Sequence, residues 1–168
     1  MTETAETFAD WLRDAHAMEK QALTMLSGQE ARLEHYPDLR ALISRHARET
    51  EGQIDVLQGI LDRYGESRSL MKDMAGRMTA MGQSLAGMMA SDEVVKGALA
   101  GYTFEHMEIA SYRILIATAQ HLGDSQAATA LQGILDQEIA MADALEKRIA
   151  GVTQTFLSRS EAGVTARR

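Results

Sequence analysis

The stretch HARETEGQ, residues His46–Gln53, interrupts the apolar face of a long helical pattern. Apolar residues at steps of three and four precede and follow it, but inside it the same steps fall on His46, Glu49, Thr50 and Gln53. A helix that only packs against its neighbours does not need such a break. Burying an unpaired carboxylate is costly, and such a group usually takes up a proton instead. The break therefore predicts a buried polar site.

Three further segments show the same interruption. Each has glutamate in the middle of its apolar pattern: Glu19 in the first helical segment, Glu105 and Glu108 in a later one, and Glu138 in the last. The apolar positions around these acids include Phe8, Trp11, Leu12, Leu99, Ile109, Leu131 and Leu145. Four helices with acids in the same relative place predict that the acids meet in one core.

Carboxylates that meet in a bundle core need compensating charge, because ionised groups repel one another strongly at low dielectric. Protons or metal cations must supply that compensation. Two divalent cations would balance four carboxylates, so the pattern favours a dinuclear metal site.

Composition favours a single helical domain. The 168 residues are enough for one domain with a substantial core. A single proline, three phenylalanines and many Ala, Leu and Glu residues favour helix over sheet. The formal net charge of −7 and the pI of about 5.2 argue against electrostatic binding to nucleic acid or to an anionic membrane.

The chain has no cysteine, which excludes disulfides, thiolate metal sites and cysteine nucleophiles. Neither a Gly-x-Ser-x-Gly motif nor a phosphate-binding glycine loop is present. The first residues, MTETAET, lack the basic and apolar regions of a signal peptide, and no apolar run is long enough to span a membrane. We expect a cytoplasmic protein.

Start and stop signals predict four long helices. Proline, threonine and aspartate mark the starts, and glycine marks most of the ends. The predicted bounds are Thr4 or Thr7 to Leu26, or on to Leu33; Pro37 to Gly65; Asp92 to Gly123; and Asp124 to Gly151. Because the pattern fades after Phe156 and Leu157, we expect residues 1–152 to form the bundle and 153–168 a flexible C-terminal tail.

Connection lengths predict the topology. Short links join the first helix to the second and the third to the fourth, so each pair forms an antiparallel hairpin. Between the second and third helices lies Ser67–Ala90, long enough to travel the length of the bundle. We therefore predict an all-α fold: a ferritin-like four-helix bundle with a long helical crossover between helices two and three.

The crossover is rich in methionine. Its apolar residues step by three and four, and they are Met71, Met74, Met78, Met81, Leu85 and Met88. We interpret them as a seam that packs the crossover on the bundle or on a partner subunit. A flexible partner-binding surface or an oxidant sink is the alternative interpretation.

Several motifs, in order, resemble the YciE/YciF family of ferritin-like stress-response proteins. They are DAHAMEKQ at 14–21, HARETEGQIDVL at 46–57, EHMEIASY at 105–112, AQHLG at 119–123, and Glu138 with Asp143-Ala-Leu. The resemblance covers about residues 7–150. It implies a ferritin-like bundle, a homodimer and a di-iron-type centre. Met107 stands where the family has tyrosine, and Gln137 replaces the first of two paired acids.

The predicted metal ligands are Glu19, His46, Glu49, Glu105, Glu108 and Glu138. Ferritin-like di-iron sites typically use a Glu from each of two helices and Glu-x-x-His from each of the other two. Here helix two offers the reversed spacing His46-x-x-Glu49, and Met141 follows Glu138 at the histidine position. Glu49 or its counterpart would bridge two metals, and the choice between Glu105 and Glu108 as the closer ligand stays open. Carboxylate-rich ligation suits iron(II), manganese or magnesium better than copper.

Two functions follow from these patterns. The first is a stress-response protein whose dinuclear centre, of iron or alternatively manganese, reacts with a small oxidant, peroxide or O2. The second is a non-enzymatic helical interaction module with a metal-free remnant site. Its acids would be held by hydrogen bonds from Thr50, Gln53, Tyr102 and Tyr112.

Overall fold

The computed structural model describes residues 2–65 and 92–166. These residues contain four α-helices. They are α1 (Glu3–Glu30), α2 (Pro37–Arg63), α3 (Glu93–His121) and α4 (Ser125–Glu161). No strand occurs within these two ranges, so the predicted all-α fold is confirmed. None of the four helices is both long and apolar enough to span a membrane.

Most helix ends follow the local sequence signals. Pro37 occupies the first turn of α2, where its missing N–H costs nothing. The side chain of Asp124 caps α4 by accepting a hydrogen bond of 2.9 Å from the backbone N–H of Ala127. Gly65 and Gly123 follow α2 and α3 with φ of 77° and 74°, a conformation that side-chain-bearing residues rarely adopt.

The predicted end of the last helix at Gly151 is wrong, because α4 continues to Glu161. Gly151 stays helical, and Gly163 is the glycine that takes positive φ, at 68°. A glycine inside a helix costs about 1 kcal/mol. Val152 and Phe156 offset that cost by packing on the apolar core. The flexibility expected of residues 153–168 stays a prediction.

The helices form two hairpins, α1 with α2 and α3 with α4, and these pack together through α1 on α3 and α2 on α4. At one end of the bundle, Arg63 of α2 lies 3.2 Å from Asp124 at the start of α4. At the other end, Arg32 beyond α1 lies 2.6 Å from Glu93 at the start of α3. Helices α2 and α3 therefore run parallel, as a ferritin-like bundle with one long crossover requires. The predicted crossover helix and its methionine seam lie outside the described residues.

Two apolar clusters fill the interior. One is centred on Phe8, Leu57, Leu115 and Leu131, and the other on Leu26, Leu39, Ile43, Met141 and Leu145. A layer of buried polar side chains contributed by all four helices lies among them: Glu19, His46, Glu105, Glu108 and Glu138. The breaks in the four apolar patterns correspond to this polar layer.

Two predicted core positions face outward. Trp11 is 42% exposed and Leu99 is 51% exposed. Adjacent helical residues point about 100° apart, so Trp11 is turned well away from the direction of its neighbour Leu12. Leu12 takes the buried position. The buried faces of α1 and α3 are therefore narrower than the sequence predicted, and they exclude Trp11 and Leu99.

Candidate metal centre

Four ligand-type side chains from three helices converge in the polar layer. His46 comes from α2, Glu105 and Glu108 from α3, and Glu138 from α4. Each offers one ligand atom within 4.8 Å of the other three, and all four side chains are buried. The i, i+3 spacing places both α3 glutamates on the inner face. The convergence of acids expected from the sequence is therefore present.

Glu19 of α1 lies beside this group and is equally buried, with 1% of its surface exposed. The phenol of Tyr112 donates a hydrogen bond to Glu19 Oε1. Tyr102, expected to supply a similar bond, packs its ring on that of His106 with 4.6 Å between centroids. Tyr112 is thus the tyrosine that orients a carboxylate of the polar layer.

Glu49 does not join the group. Its side chain is 32% exposed, and Oε2 accepts a hydrogen bond of 3.0 Å from Nδ1 of His46. The Nε2 atom on the other side of that ring faces the core, at 3.4 Å from Glu105 and 3.3 Å from Glu138. The reversed His-x-x-Glu spacing therefore places the glutamate behind the imidazole, where it fixes the ring orientation.

The charge state of His46 follows from these contacts. Burial lowers its pKa, but the hydrogen bonds and charges of Glu105 and Glu138 outweigh burial and raise it to about 11. Without metal, His46 is an imidazolium that offsets part of the carboxylate charge.

Three of the buried acids have raised pKa values. Burial and the charge of Glu138 raise the pKa of Glu19 to about 8. Burial raises the pKa of Glu105 to about 7, although the contact with His46 opposes the change. Burial and the neighbouring Glu19 raise the pKa of Glu108 well above its ordinary value. The interior disfavours further negative charge unless cations enter.

Several oxygens in the layer have no hydrogen-bond partner among the described residues. They are both carboxylate oxygens of Glu108, Oε2 of Glu19, Oε1 of Gln53, and Oε2 of Glu105 and of Glu138, the last two lying 3.4 and 3.3 Å from His46 Nε2. The amide nitrogen of Gln53, in contrast, donates to Glu138 and, at 3.0 Å, to Gln137. Buried polar atoms without partners are rare, and a site for an ion is one established cause. Oxygen atoms beside one imidazole nitrogen also suit the hard and borderline metals Fe²⁺ and Mn²⁺, so the side chains fit such a centre.

The sequence did not reveal two roles. Gln137, noted only as a replacement for an acid, accepts the amide of Gln53 and links α2 to α4. Gln29, Arg32 and Glu93 join the end of α1 to the start of α3 and were not singled out. For Gln29, Arg32 and Glu93, the only signal in the sequence is their position near the predicted helix ends.

The helix arrangement and the acid-rich interior define a ferritin-like four-helix bundle with a buried carboxylate layer. The chain belongs to the family described as domain of unknown function DUF892, whose sequence profile matches residues 3–158. Together with the relatives described next, this match confirms the YciE/YciF resemblance that the motifs indicated.

Individual relatives agree with this assignment. The chain is 32% identical to protein YciF of Escherichia coli K12 over 143 residues, which cover 80% of this chain and 83% of the relative. A crystal structure from Xanthomonas campestris pv. campestris superposes with a TM-score of 0.79 at 34% identity, covering 95% of this chain and 99% of the other. The crystal structure of Escherichia coli YciF gives a TM-score of 0.68 at 24% identity, covering 89% and 96%. That last likeness concerns the fold alone.

Proposed function

We propose that this protein binds a dinuclear metal centre in its polar layer, with iron as the metal and manganese as the alternative. Glu19, His46, Glu105, Glu108 and Glu138 would hold the ions. The observation that carries the proposal is Glu108, whose two carboxylate oxygens are buried and accept no hydrogen bond from an N–H or hydroxyl group of the described residues; their polar neighbour is the carboxyl group of Glu138. A carboxylate placed this way is costly unless protons or cations compensate it.

Charge supports two ions rather than one. The layer contains four carboxyl groups, on Glu19, Glu105, Glu108 and Glu138. When ionised they carry four negative charges, which two divalent cations balance. A single divalent ion would leave two charges to be offset by His46 and by protons. The raised pKa values of Glu19 and Glu105 show how strongly this interior favours neutralisation.

The proposed role is redox protection under stress. The relative from Escherichia coli is described as a stress protein. A di-iron(II) centre held by these five side chains would supply the two electrons that, with two protons, reduce hydrogen peroxide to two waters. Dioxygen is the alternative oxidant.

The protein side chains would position and shield the centre. Glu49 orients His46 from outside the layer, and Tyr112 orients Glu19. Apolar clusters near both ends of the layer exclude water, and this strengthens electrostatic interactions within it.

The test is metal content after anaerobic loading with iron(II) and removal of excess metal. We expect about two iron ions per chain in the wild type and about one or none in Glu108→Gln. Glu146→Gln, an exposed change on α4, is the matched control and should bind as the wild type does. Full iron content in Glu108→Gln would contradict the site.

A metal-free interaction module is the second candidate, and one observation favours it. Gln53 donates to Glu138 and Tyr112 donates to Glu19, so two of the acids already have partners. No uptake of iron(II) or manganese(II) by the wild type would support this function and refute the metal centre.

We also infer a homodimer, as the family resemblance implies. The exposed Leu99 and Ile114 on α3, with 51% and 53% of their surfaces accessible, support such association. Light scattering should give twice the chain mass of 18.4 kDa. A mass of one chain at micromolar concentration would contradict it.

A further inference from the structure

A small cavity leads from the surface toward the polar layer. Its volume is about 30 Å³, and it lies between the end of α1, the start of α2, the first half of α3 and the middle of α4. Glu105, a member of the carboxylate layer, lines it, and so do Arg32 and Glu93 near the bundle end. The cavity therefore connects the candidate metal centre with a defined place on the surface.

Most of the cavity wall is apolar. The side chains of Leu39, Ile43, Val94, Met141 and Leu145 form it, together with the backbone of Gly97 and Gly101. Genuinely apolar cavities remain dry and take up apolar molecules. Hydrogen peroxide would lose its hydrogen bonds to water on entering, and a charged substrate would lose far more.

The polar residues at the mouth are engaged with each other. Arg32 Nη1 lies 2.6 Å from Glu93 Oε1, and its Nε donates to the carbonyl of Gly28 at 2.9 Å. Gln29 donates to the carbonyl of Gly97 at 3.2 Å. These contacts hold the polar groups around the outer end of the cavity in place.

The volume of the cavity limits which molecule it can bind. One water molecule needs roughly 10–15 Å³ of such volume, so the cavity holds two or three small atoms and no organic substrate. Dioxygen is diatomic, apolar and uncharged. We propose that this cavity binds dioxygen and delivers it to Glu105 at the edge of the carboxylate layer. The delivery of dioxygen to a metal rests on the proposed function. The binding of dioxygen in the cavity does not depend on it.

The experiment uses dissolved dioxygen, which is paramagnetic, as the probe. The full chain with methyl-labelled Ile, Leu and Val is treated with chelator, and methyl relaxation is compared under oxygen and under nitrogen. The cavity reporters are Ile43, Val94 and Leu145, and the references are Leu115 and Leu131, which are buried in the other cluster. We expect oxygen to enhance relaxation at the reporters by about threefold or more relative to the references.

Two matched variants complete the test. In Gly101→Ala the new Cβ lies 3.6 Å from Leu145 Cδ1, an ordinary contact, so the helix tolerates a methyl that reduces the cavity. In Gly133→Ala the Cβ meets no atom within 4 Å, so the same chemical change leaves the cavity intact. The enhancement should fall by half or more in Gly101→Ala and stay unchanged in Gly133→Ala.

Equal relaxation at reporters and references, or no effect of Gly101→Ala, would overturn the inference. Iron(II) uptake, measured on a second portion of each protein after the chelator is removed and iron(II) is added anaerobically, separates the two proposals. Iron uptake without the enhancement refutes dioxygen binding in the cavity, whereas the enhancement without iron uptake supports the cavity and refutes the metal centre.

Discussion

Glu49 shows that helical spacing alone does not decide whether an acid joins the buried polar layer. Glu49 and Thr50 both satisfy the three- and four-residue steps from His46, and the packing of α2 turns Thr50 inward and Glu49 to the edge. The burial of Glu19, Glu105, Glu108 and Glu138 was expected, because each falls in the middle of an otherwise apolar pattern. A rotation of α2 about its own axis by a few tens of degrees would decide whether Glu49 is buried or exposed. The packing of the neighbouring helices determines that rotation.

Because Glu49 lies outside the buried group, its substitution should change the affinity for metal rather than the number of ions bound. In Glu49→Gln the residue still accepts from Nδ1 of His46 but no longer carries charge, so the imidazole becomes a weaker ligand. We expect about tenfold weaker iron(II) or manganese(II) binding with unchanged stoichiometry, measured by calorimetry under anaerobic conditions. Glu51→Gln, an exposed neighbour on α2, should bind as the wild type does. Loss of one whole ion would instead make Glu49 a direct ligand.

Tyr112 provides a second test at this scale. Tyr112→Phe removes the donor to Glu19 Oε1 and leaves both oxygens of that buried carboxyl group without a protein partner. We expect the free energy of unfolding of the metal-free protein to fall by about 1–3 kcal/mol in urea titrations. Tyr102→Phe, whose ring packs on His106, is the matched control. Equal effects of the two variants would show that ring packing, rather than the hydrogen bond, is what matters.

The helices illustrate which signals in a sequence are decisive. Pro37, Asp124 and Gly123 act through local backbone chemistry, so they mark helix ends wherever the rest of the chain lies. Gly151 has a weaker effect, because glycine is tolerated in a helix that gains enough by packing. Val152 supplies such packing from the next position, and only the neighbouring helices reveal it. The cavity beside Glu105 likewise depends on four helices at once and has no sequence pattern of its own.

Asp124 joins two helices at one end of the bundle. Besides capping α4, it lies 3.2 Å from Arg63 and accepts a hydrogen bond of 3.1 Å from the Tyr64 phenol, both at the end of α2. Asp124→Ala should lower the free energy of unfolding by about 1–2 kcal/mol, since the cap is lost. Urea denaturation followed by circular dichroism measures this effect. Asp136→Ala, an exposed change on α4, should stay within about 0.5 kcal/mol of the wild type, and a similar loss there would argue against a special role for the cap.

As pH rises, the stability of the metal-free protein should fall, whereas metal binding should strengthen. Glu19 and Glu105 have pKa values of about 8 and about 7 in the folded chain, against an ordinary value of 4.5. The folded state therefore holds protons that the unfolded state has released, and its stability falls as pH rises between about 4.5 and 8. The raised pKa of His46 acts in the same direction above its ordinary value of 6.5. Metal binding needs these groups deprotonated, so it strengthens with pH.

Thermal unfolding from about pH 5 to pH 8 tests this prediction. With chelator the Tm should fall as pH rises, and with saturating manganese(II) the difference in Tm between the two conditions should widen. A Tm that rises with pH in chelator would show that the buried acids are already ionised in the metal-free protein.

The polar layer between the two apolar clusters also fixes how far each helix is shifted along the bundle axis relative to its neighbours. Moving α4 along its axis by one turn, about 5.4 Å, would bring Leu135 or Met141 to the level of the acids and Glu138 against leucines. Every such slip buries a carboxyl group among hydrocarbon and is strongly disfavoured. An all-leucine layer would remove that penalty and leave neighbouring alignments close in energy. The acids proposed to hold metal therefore also restrict the bundle to one alignment of its helices.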